Sequence, residues 1–289
     1  MLSANTDRLY ADVMFLTSNR PYRNYKNVNS LKIAADYISA EFSKCGLEVE
    51  LQPINTKKQV YHNVIASFNK EKSKRLIVGA HYDVAGNTPG ADDNASAVAG
   101  LLETARLVSH NNPAIDYRID FVAYCLEEPP FYKTKEMGSF VHAKSLWAEN
   151  AKVMGMICFE MIGYFSDEAI LKAHKKMVGN LASQVPQAGD FILVLGCEDY
   201  FSFNQKIFSL MSTGSAIDIQ KLEVPPYDPL AQLSDHINYW AFSYDAVMIT
   251  DTAFIRNPNY HKKSDTIKTL NFSKMAQVVN STYRAVVGI

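Results

Sequence analysis

The sequence predicts an α/β fold: a single three-layer α/β/α domain, residues 1–289, around a central mixed and mostly parallel β-sheet. Short runs that are apolar at nearly every position alternate along the chain with longer runs whose apolar residues recur every three or four positions. These are the patterns of strands covered on both faces and of amphipathic helices. No internal repeat, low-complexity tract or Pro/Gly/Ser-rich linker divides the chain, so we expect one domain.

The first 70 residues predict two helices and a hairpin. Residues 1–15 interrupt their apolar character every few positions, as an amphipathic helix does. A second helix is predicted from Leu31 to Cys45 and ends at Gly46. Two alternating segments, Leu47 to Pro53 and Gln59 to Phe68, predict a hairpin at the edge of the sheet.

Five short apolar runs predict the buried strands of the sheet. They are LIVGA at 76–80, IDFVAYC at 119–125, VMGMICF at 153–159, FILVLG at 191–196 and AVMIT at 246–250. The clearest helix between them runs from Asn94 to His110, with Asn94 as its expected N-cap. The other predicted helices are Ser139 to Asn150, Asn204 to Ser212 and Phe272 to Val287.

The bulk composition excludes several function classes. With 29 Lys plus Arg against 30 Asp plus Glu, the formal charge of -1 gives no electrostatic reason to expect a nucleic acid or an anionic membrane as partner. No apolar stretch approaches the roughly 20 residues of a membrane span, so we expect a soluble protein. The amino terminus does not form a signal peptide as it stands, which favours the cytoplasm; a periplasmic or secreted location would require a removed leader. Nothing in the composition indicates an oligomeric state.

The four cysteines are Cys45, Cys125, Cys158 and Cys197. They are widely spaced, form no CxxC pair, and three lie in or at the end of apolar runs. We therefore expect buried reduced thiols instead of disulfides or a cysteine zinc site.

Acidic and imidazole side chains cluster directly after the predicted strands. The residues at these strand ends are His81 and Asp83, the pair Glu127 and Glu128, Glu160, and Asp251. In an open α/β sheet the loops beyond the carboxyl ends of parallel strands meet in one crevice. The sequence therefore predicts a shared site at that edge.

Two loop segments add further ligand types. The run PGADDNAS at 89–96 carries Asp92 and Asp93 to the start of the long helix, and a later turn presents Tyr260 and His261, followed by Asp265. Two imidazoles with several carboxylates suit zinc or a similar divalent ion. The residues alone do not decide between Asp92 and Asp93 as the ligand.

These motifs resemble those of peptidase family M28, the co-catalytic di-zinc aminopeptidase superfamily that includes the glutaminyl cyclases. The matching segments, in the family's order, are GAHYDV, PGADDNAS, the Glu127–Glu128 pair with a following GS, FEMIGY, SDH at 234–236 and NPNYHKKSDT. Each motif alone is weak, but six in order are highly specific. The resemblance implies a zinc exopeptidase fold with two zinc ions per chain.

The resemblance also implies a role for each candidate ligand. Asp93 would bridge the two metals, His81 and Glu160 would complete one site, and Glu128 and His261 would complete the other. Position 160 departs from the pattern, since the best-known members have Asp there. The longer arm of Glu160 bears on the spacing and occupancy of the first metal site.

Glu127 would act as the general base, taking a proton from a water that the metals activate. Asp83 would accept the other ring N–H of His81, and Asp265 belongs to the closing motif of the family. Asp92, Asp251 and His236 are expected to have supporting roles. The implied reaction is hydrolysis of the N-terminal peptide bond of short peptides.

Two residues are candidates for contacts with the substrate. Arg256 would orient a substrate carboxylate, or would instead form a salt bridge that stiffens its loop. Tyr260 would line a side-chain pocket with other aromatic and apolar residues. Those other candidates are Phe131, Met161 and Phe254.

Two alternatives to an aminopeptidase stay open at this point. One is a glutaminyl cyclase-like aminoacyltransferase on the same fold, and the other is a receptor-like module that has lost the chemistry. The chain contains no HExxH, no GxSxG elbow and no phosphate-binding glycine loop. Metal-assisted hydrolysis is therefore the simplest interpretation.

Overall fold

The computed structural model describes residues 2–169, 186 and 188–289. Its strands are β1 (Glu48–Asn55), β2 (Val60–Phe68), β3 (Lys74–His81), β4 (Arg118–Tyr124), β5 (Lys152–Glu160), β6 (Ser166–Ala169), β7 (Ala188–Gly189), β8 (Phe191–Cys197), β9 (Asp218–Val224) and β10 (Ala246–Thr250). Eight of them form a sheet of order β1-β2-β4-β3-β5-β10-β8-β9, and β6 pairs with β7 separately. The pairs β4-β3, β3-β5, β5-β10 and β8-β9 are parallel, and the other three in the large sheet are antiparallel. The predicted mixed and mostly parallel sheet is confirmed.

Helices cover both faces of this sheet. In the described residues they are α1 (Thr6–Ser18), α2 (Val28–Lys44), α3 (Ala97–Asn111), α4 (Gly138–Ala148), α5 (Phe201–Ser212), α6 (His236–Trp240) and α7 (Phe272–Gly288). Side chains alternate along each strand, so successive residues belong to different cores. Val78 belongs to the core that includes residues of α1, α2, α3, α5 and α7, whereas Ile77 belongs to the core that includes residues of α4 and α6. The arrangement is the three-layer architecture that the sequence predicts.

Every predicted strand is present, and four of the described strands and α-helices were not predicted: the short strands β6 and β7, the edge strand β9 and helix α6. Strand β9 carries Ile219, Leu222 and Val224 without strict alternation, because it lies at the edge of the sheet and presents polar side chains to solvent. Helix α6 has five residues, too few to show a helical period. No helix within the described ranges has both the length and the apolar character to cross a bilayer.

The predicted cap at Asn94 is wrong. Helix α3 begins at Ala97, and the preceding residues Ala91–Ser96 form a wider turn in which Asp93 and Asn94 have non-helical backbone angles. The side-chain oxygen of Asn94 accepts the Met161 N–H at 2.9 Å, so this residue ties the turn to the end of β5 instead of capping the helix.

The cysteines are as predicted. All four are free thiols; Cys125, Cys158 and Cys197 are buried and Cys45 is half-buried. Burial raises the pKa of Cys125 and of Cys158 well above the usual value, as expected for unreactive core thiols.

The parallel strands end together at one edge of the sheet. His81 is in register with Tyr124 on the neighbouring strand, and Thr250 is in register with Glu160. The loops after β3, β4, β5 and β10 therefore leave the sheet side by side, at the carboxyl edge where ligands bind in such sheets.

Candidate metal centre

A first group of three ligand side chains forms at the ends of β3 and β5. His81 Nε2 lies 3.3 Å from Glu160 Oε2 and 3.5 Å from Asp93 Oδ1. His81 and Glu160 are the last residues of their strands, and Asp93 comes from the turn before α3. These three buried side chains are close enough together to hold one metal ion.

A second group shares Asp93 with the first. His261 Nε2 lies 3.0 Å from Asp93 Oδ2 and 3.3 Å from Glu128 Oε1. Asp93 thus directs one carboxylate oxygen to each imidazole, which is the arrangement of a bridging ligand. Although burial lowers the pKa of His261, the adjacent carboxylates of Asp93 and Glu128 raise it to about 10.

Glu127 lies beside the centre but belongs to neither group of three. Its Oε2 is 3.8 Å from His81 Nε2, and its side chain is buried. Burial raises the pKa of Glu127 well above its ordinary value. A carboxylate in this position can exchange a proton with a reactant without being a ligand itself.

The chemistry of these side chains fits a divalent cation. Glu128 Oε1 and His81 Nδ1 are buried and have no hydrogen-bond partner in the described part of the chain. Burial and the Asp93 carboxylate raise the pKa of Glu128 to about 7. Crowded buried carboxylates are unfavourable unless a positive charge compensates them, and a metal ion supplies that charge. Imidazole nitrogens with carboxylate oxygens are a zinc-type donor set.

Two aspartates hold the backbone on either side of the centre. Asp83 accepts the N–H groups of Glu127 and Glu128, each at 3.1 Å. Asp265 accepts the N–H groups of Asp92 at 2.9 Å and Asp93 at 3.2 Å. Each carboxylate therefore fixes a pair of consecutive residues that includes a predicted ligand.

The expected hydrogen bond from His81 to Asp83 does not form in this structure. The Nδ1 to Oδ1 distance is 3.6 Å, longer than a hydrogen bond. Each oxygen of Asp83 instead accepts one backbone N–H group, from Glu127 and from Glu128. Asp83 supports the loop after β4 more directly than it orients the imidazole.

Three further polar residues have supporting positions. Asp92 accepts the Gly163 N–H at 2.9 Å and the Asn257 side-chain amide at 2.7 Å, so its carboxylate joins two loops behind the ligands. Asp251 accepts the Tyr164 N–H at 2.8 Å. His236 Nε2 lies 2.8 Å from the Ala231 carbonyl oxygen and away from both groups of three.

Ser234 is a residue that the sequence reasoning missed. Its hydroxyl donates to Glu160 Oε2 at 2.6 Å, and both side chains are buried. The SDH triplet at 234–236 was the available signal, but the pattern does not show which ligand the serine meets. Ser234 holds the longer arm of Glu160 against the centre.

An apolar pocket opens beside Glu160. Its apolar lining comes from β8, β9, β10 and the loops at 233 and 252–260: Leu193, Leu195, Leu222, Leu233, Met248, Ala253, Phe254, Ile255 and Tyr260. Thr250 and Thr252 line it as well. The Tyr260 ring stacks on the His261 ring with centroids 3.8 Å apart. Phe254 and Tyr260 thus line the pocket as predicted. Phe131 packs edge-on against Tyr25 and Tyr61 instead.

Arg256 is buried outside this lining. Its Nη1 donates to the Phe191 carbonyl at 2.8 Å, and the guanidinium lies 4.4 Å from the centre of the Phe191 ring. It forms no ion pair within 4.0 Å with an acidic side chain of the described residues, so the predicted salt bridge is absent there. A contact with a substrate carboxylate stays a prediction.

Comparison with known proteins decides the family. Residues 63–286 match the model of peptidase family M28. The chain belongs to peptidase family M28. It is 37% identical over 285 residues to the Escherichia coli (strain K12) protein named "Uncharacterized protein YfbL", covering 96% of this chain and 86% of that protein.

Two further proteins that resemble this chain have different activities in their names. The chain is 24% identical over 232 residues to leucine aminopeptidase 1 of Arthroderma otae; the match covers 75% of this chain and about half, 55%, of that protein. It shares its fold with the glutaminyl cyclase of Bacteroides thetaiotaomicron, with a TM-score of 0.72 and 18% identity over 100% of this chain and 99% of that one. Membership of M28 therefore supports a peptidase role, and the fold alone does not separate hydrolysis from cyclisation.

Proposed function

We propose that this M28 chain is an aminopeptidase that binds two zinc ions and removes apolar residues from the amino end of short peptides. The observation that carries the proposal is the composition of the pocket. Among the described residues that line it, Glu160 alone is charged, and Glu160 belongs to the first group of three. Binding of a terminal carboxylate would call for a cationic side chain, and none of the described residues that line the pocket has one, which favours recognition of the amino end.

The two groups of side chains described above would hold the zinc ions. One ion would be held by His81, Asp93 and Glu160, and the other by Asp93, Glu128 and His261. Zinc bound there would polarise the peptide carbonyl and lower the pKa of a water molecule, from about 15.7 towards 7.

Glu127 is the proposed general base. Its carboxylate lies beside His81 yet is free of both groups of three, so it can accept the proton of the attacking water. It then passes that proton to the nitrogen of the departing amine as the peptide bond breaks. A raised pKa suits this shuttle, because the carboxyl group must hold the proton between the two transfers.

The pocket also bears on the glutaminyl cyclase alternative. Most of its lining consists of leucine, methionine and other apolar side chains, which offer no hydrogen bonds to a glutamine amide; besides Glu160, the polar groups are the hydroxyls of Thr250, Thr252 and Tyr260. Burying an unpaired amide costs about 1–3 kcal/mol, so leucine or methionine should be bound in preference to glutamine. The receptor-like alternative is disfavoured because the candidate ligands and the base all converge in one place.

The test is hydrolysis of aminoacyl p-nitroanilides by zinc-loaded protein, with leucine, methionine, phenylalanine, glutamine and aspartate as the acyl groups. We expect the apolar substrates to be cleaved and N-acetyl-leucine p-nitroanilide to be resistant, because its amine is blocked. Glu127→Gln should lower kcat by about 10²–10⁴-fold while both zinc ions are retained. Glu149→Gln, a change at an exposed residue, is the matched control.

Three outcomes would contradict parts of the proposal. Cleavage of the acetylated substrate would exclude recognition of a free amine. Cyclisation of N-terminal glutamine without hydrolysis of leucine substrates would favour the cyclase. Wild-type protein that binds no zinc would remove the basis of the metal centre.

A further inference from the structure

Arg23 is a cation buried beneath the candidate metal centre. Its side chain is 1% exposed and, among the described residues, donates only to backbone carbonyl groups. The acceptors are Tyr82 O at 2.8 Å, Leu16 O at 2.9 Å, Pro89 O at 2.7 Å and Gly90 O at 2.6 Å. One planar group thus joins the end of α1, the residue after β3 and the turn that leads to Asp93.

A buried guanidinium without a direct carboxylate partner is unfavourable by itself. Arg23 forms no ion pair within 4.0 Å among the described residues, but the negative charges of Asp265, Asp93 and Asp83 act on it at longer range. Although burial lowers the pKa of Arg23 to about 10, the side chain stays charged at neutral pH. The negative charges of these aspartates therefore stabilise the buried guanidinium.

The turn that Arg23 holds has little freedom to change. Gly90 adopts the left-handed conformation with φ of 59°, and a Cβ atom there would collide with the Val84 side chain and the Asp93 carbonyl oxygen. The Val84 N–H in turn donates to the Arg23 carbonyl at 3.1 Å. Side chain and backbone of Arg23 thus bind both ends of the segment from Tyr82 to Gly90.

The contacts of Arg23 reach both sides of the first group of three. Tyr82 directly follows His81, and Gly90 precedes Asp93 by three residues. Loss of the guanidinium would free two carbonyl groups in the turn and one beside His81. The expected consequence is a less ordered Asp93, although Arg23 touches no predicted ligand.

We propose that Arg23 is a positioning residue that orders the turn bearing Asp93 before any metal binds. Arg23 lies outside residues 63–286, the part that matches the family model, so the amino-terminal segment would complete the centre. The inference rests on the proposed function, because it assumes that Asp93 is a metal ligand.

The first test uses metal-free wild-type protein. Hydrogen exchange should show slow amides at Asp92 and Asp93, which donate to Asp265, before zinc is added. Fast exchange that slows only with zinc would contradict the inference, because the turn would then be ordered by the metal.

The second test separates geometry from charge. Arg23→Lys keeps the cation but lacks the planar fork, and Arg23→Met lacks both. We expect both variants to bind zinc about 10–100-fold more weakly, as is usual when a residue behind the ligands is changed. The absorption spectrum of bound Co²⁺ should change as well. Arg106→Met is the matched control: Arg106 links Asp12 and Glu41 and should affect thermal stability alone.

The outcomes are distinct from one another. Wild-type zinc affinity in Arg23→Lys would overturn the inference, because the positive charge alone would then be sufficient and the planar fork would not be needed. Tighter zinc binding in Arg23→Met would also overturn it, because the main effect of Arg23 would then be to repel the metal ion. An equal loss in Arg106→Met would overturn it too, because the effect would be one of general stability. If Arg23→Met does not fold, Arg23→Lys and the wild-type exchange decide. If the wild type binds no zinc, the proposed function fails, and exchange in Arg23→Lys still tests the ordering of the turn.

Discussion

Replacement of Ser234 by alanine should weaken zinc binding at the group formed by His81, Asp93 and Glu160. The serine hydroxyl donates to Glu160 Oε2 at 2.6 Å, and this is the shortest hydrogen bond to that carboxylate. Alanine removes the donor and leaves this carboxylate oxygen, among the described residues, with the Asn94 amide at 3.4 Å and His81 Nε2 at 3.3 Å. The carboxylate is then free to rotate away from His81.

The size of the effect follows from the kind of hydrogen bond that is lost. A hydrogen bond to a charged group contributes about 1.5–3 kcal/mol. Each 1.4 kcal/mol corresponds to a tenfold change in a binding constant. If the whole free energy of the hydrogen bond contributes to zinc binding, its removal lowers the zinc affinity by about 10–150-fold. Changes behind metal ligands usually cost about 10–100-fold, which agrees with this range.

The assay is a zinc titration against a competing chelator that resolves the two binding steps. We expect one step to weaken by about 10–100-fold and the step assigned to Asp93, Glu128 and His261 to change little. Ser281→Ala is the control, because Ser281 is also buried and its hydroxyl accepts a hydrogen bond from Arg284 far from the centre. The reasoning is refuted if neither binding step changes in Ser234→Ala, or if Ser281→Ala weakens zinc binding as much as Ser234→Ala does.

Two further predictions concern stability. Gly90→Ala should destabilise the fold by about 1–3 kcal/mol in chemical denaturation and weaken zinc binding, because the left-handed backbone and the contacts with Val84 and Asp93 exclude a methyl group. Gly46→Ala, which has the same sign of φ but open space around it, is the control and should leave zinc affinity unchanged. Burial lowers the pKa of His142 to about 3. Between that pH and about 6.5, His142 is therefore protonated in the unfolded chain and neutral in the folded protein, so stability falls as the pH is lowered. Acidification from pH 7.5 to 5 should therefore cost metal-free wild type about 2 kcal/mol more than His142→Asn, and equal pH slopes in the two proteins would refute this.

The strands were predictable because a sheet covered on both faces requires apolar residues at consecutive positions. LIVGA and AVMIT meet this requirement without ambiguity, and both form strands with the predicted centres. The exposed edge strand β9 does not need such a run, so its sequence resembles a loop. The start of α3 could not be predicted either, because Asn94 is drawn towards Met161, a contact between residues 67 positions apart.

The candidate ligands were predictable for a related reason: a residue at the end of a central parallel strand must lie at the carboxyl edge of the sheet, beside the ends of the neighbouring strands. His81 and Glu160 are the last residues of β3 and β5, and their meeting follows from the register of the sheet. The residues that hold them follow no such rule. Asp83 binds backbone N–H groups and Arg23 binds backbone carbonyls, and every residue type except proline offers both kinds of group. A sequence shows which side chains can form hydrogen bonds but not which backbone groups they contact. The roles of Asp83 and Arg23 can therefore be assigned only from the folded structure.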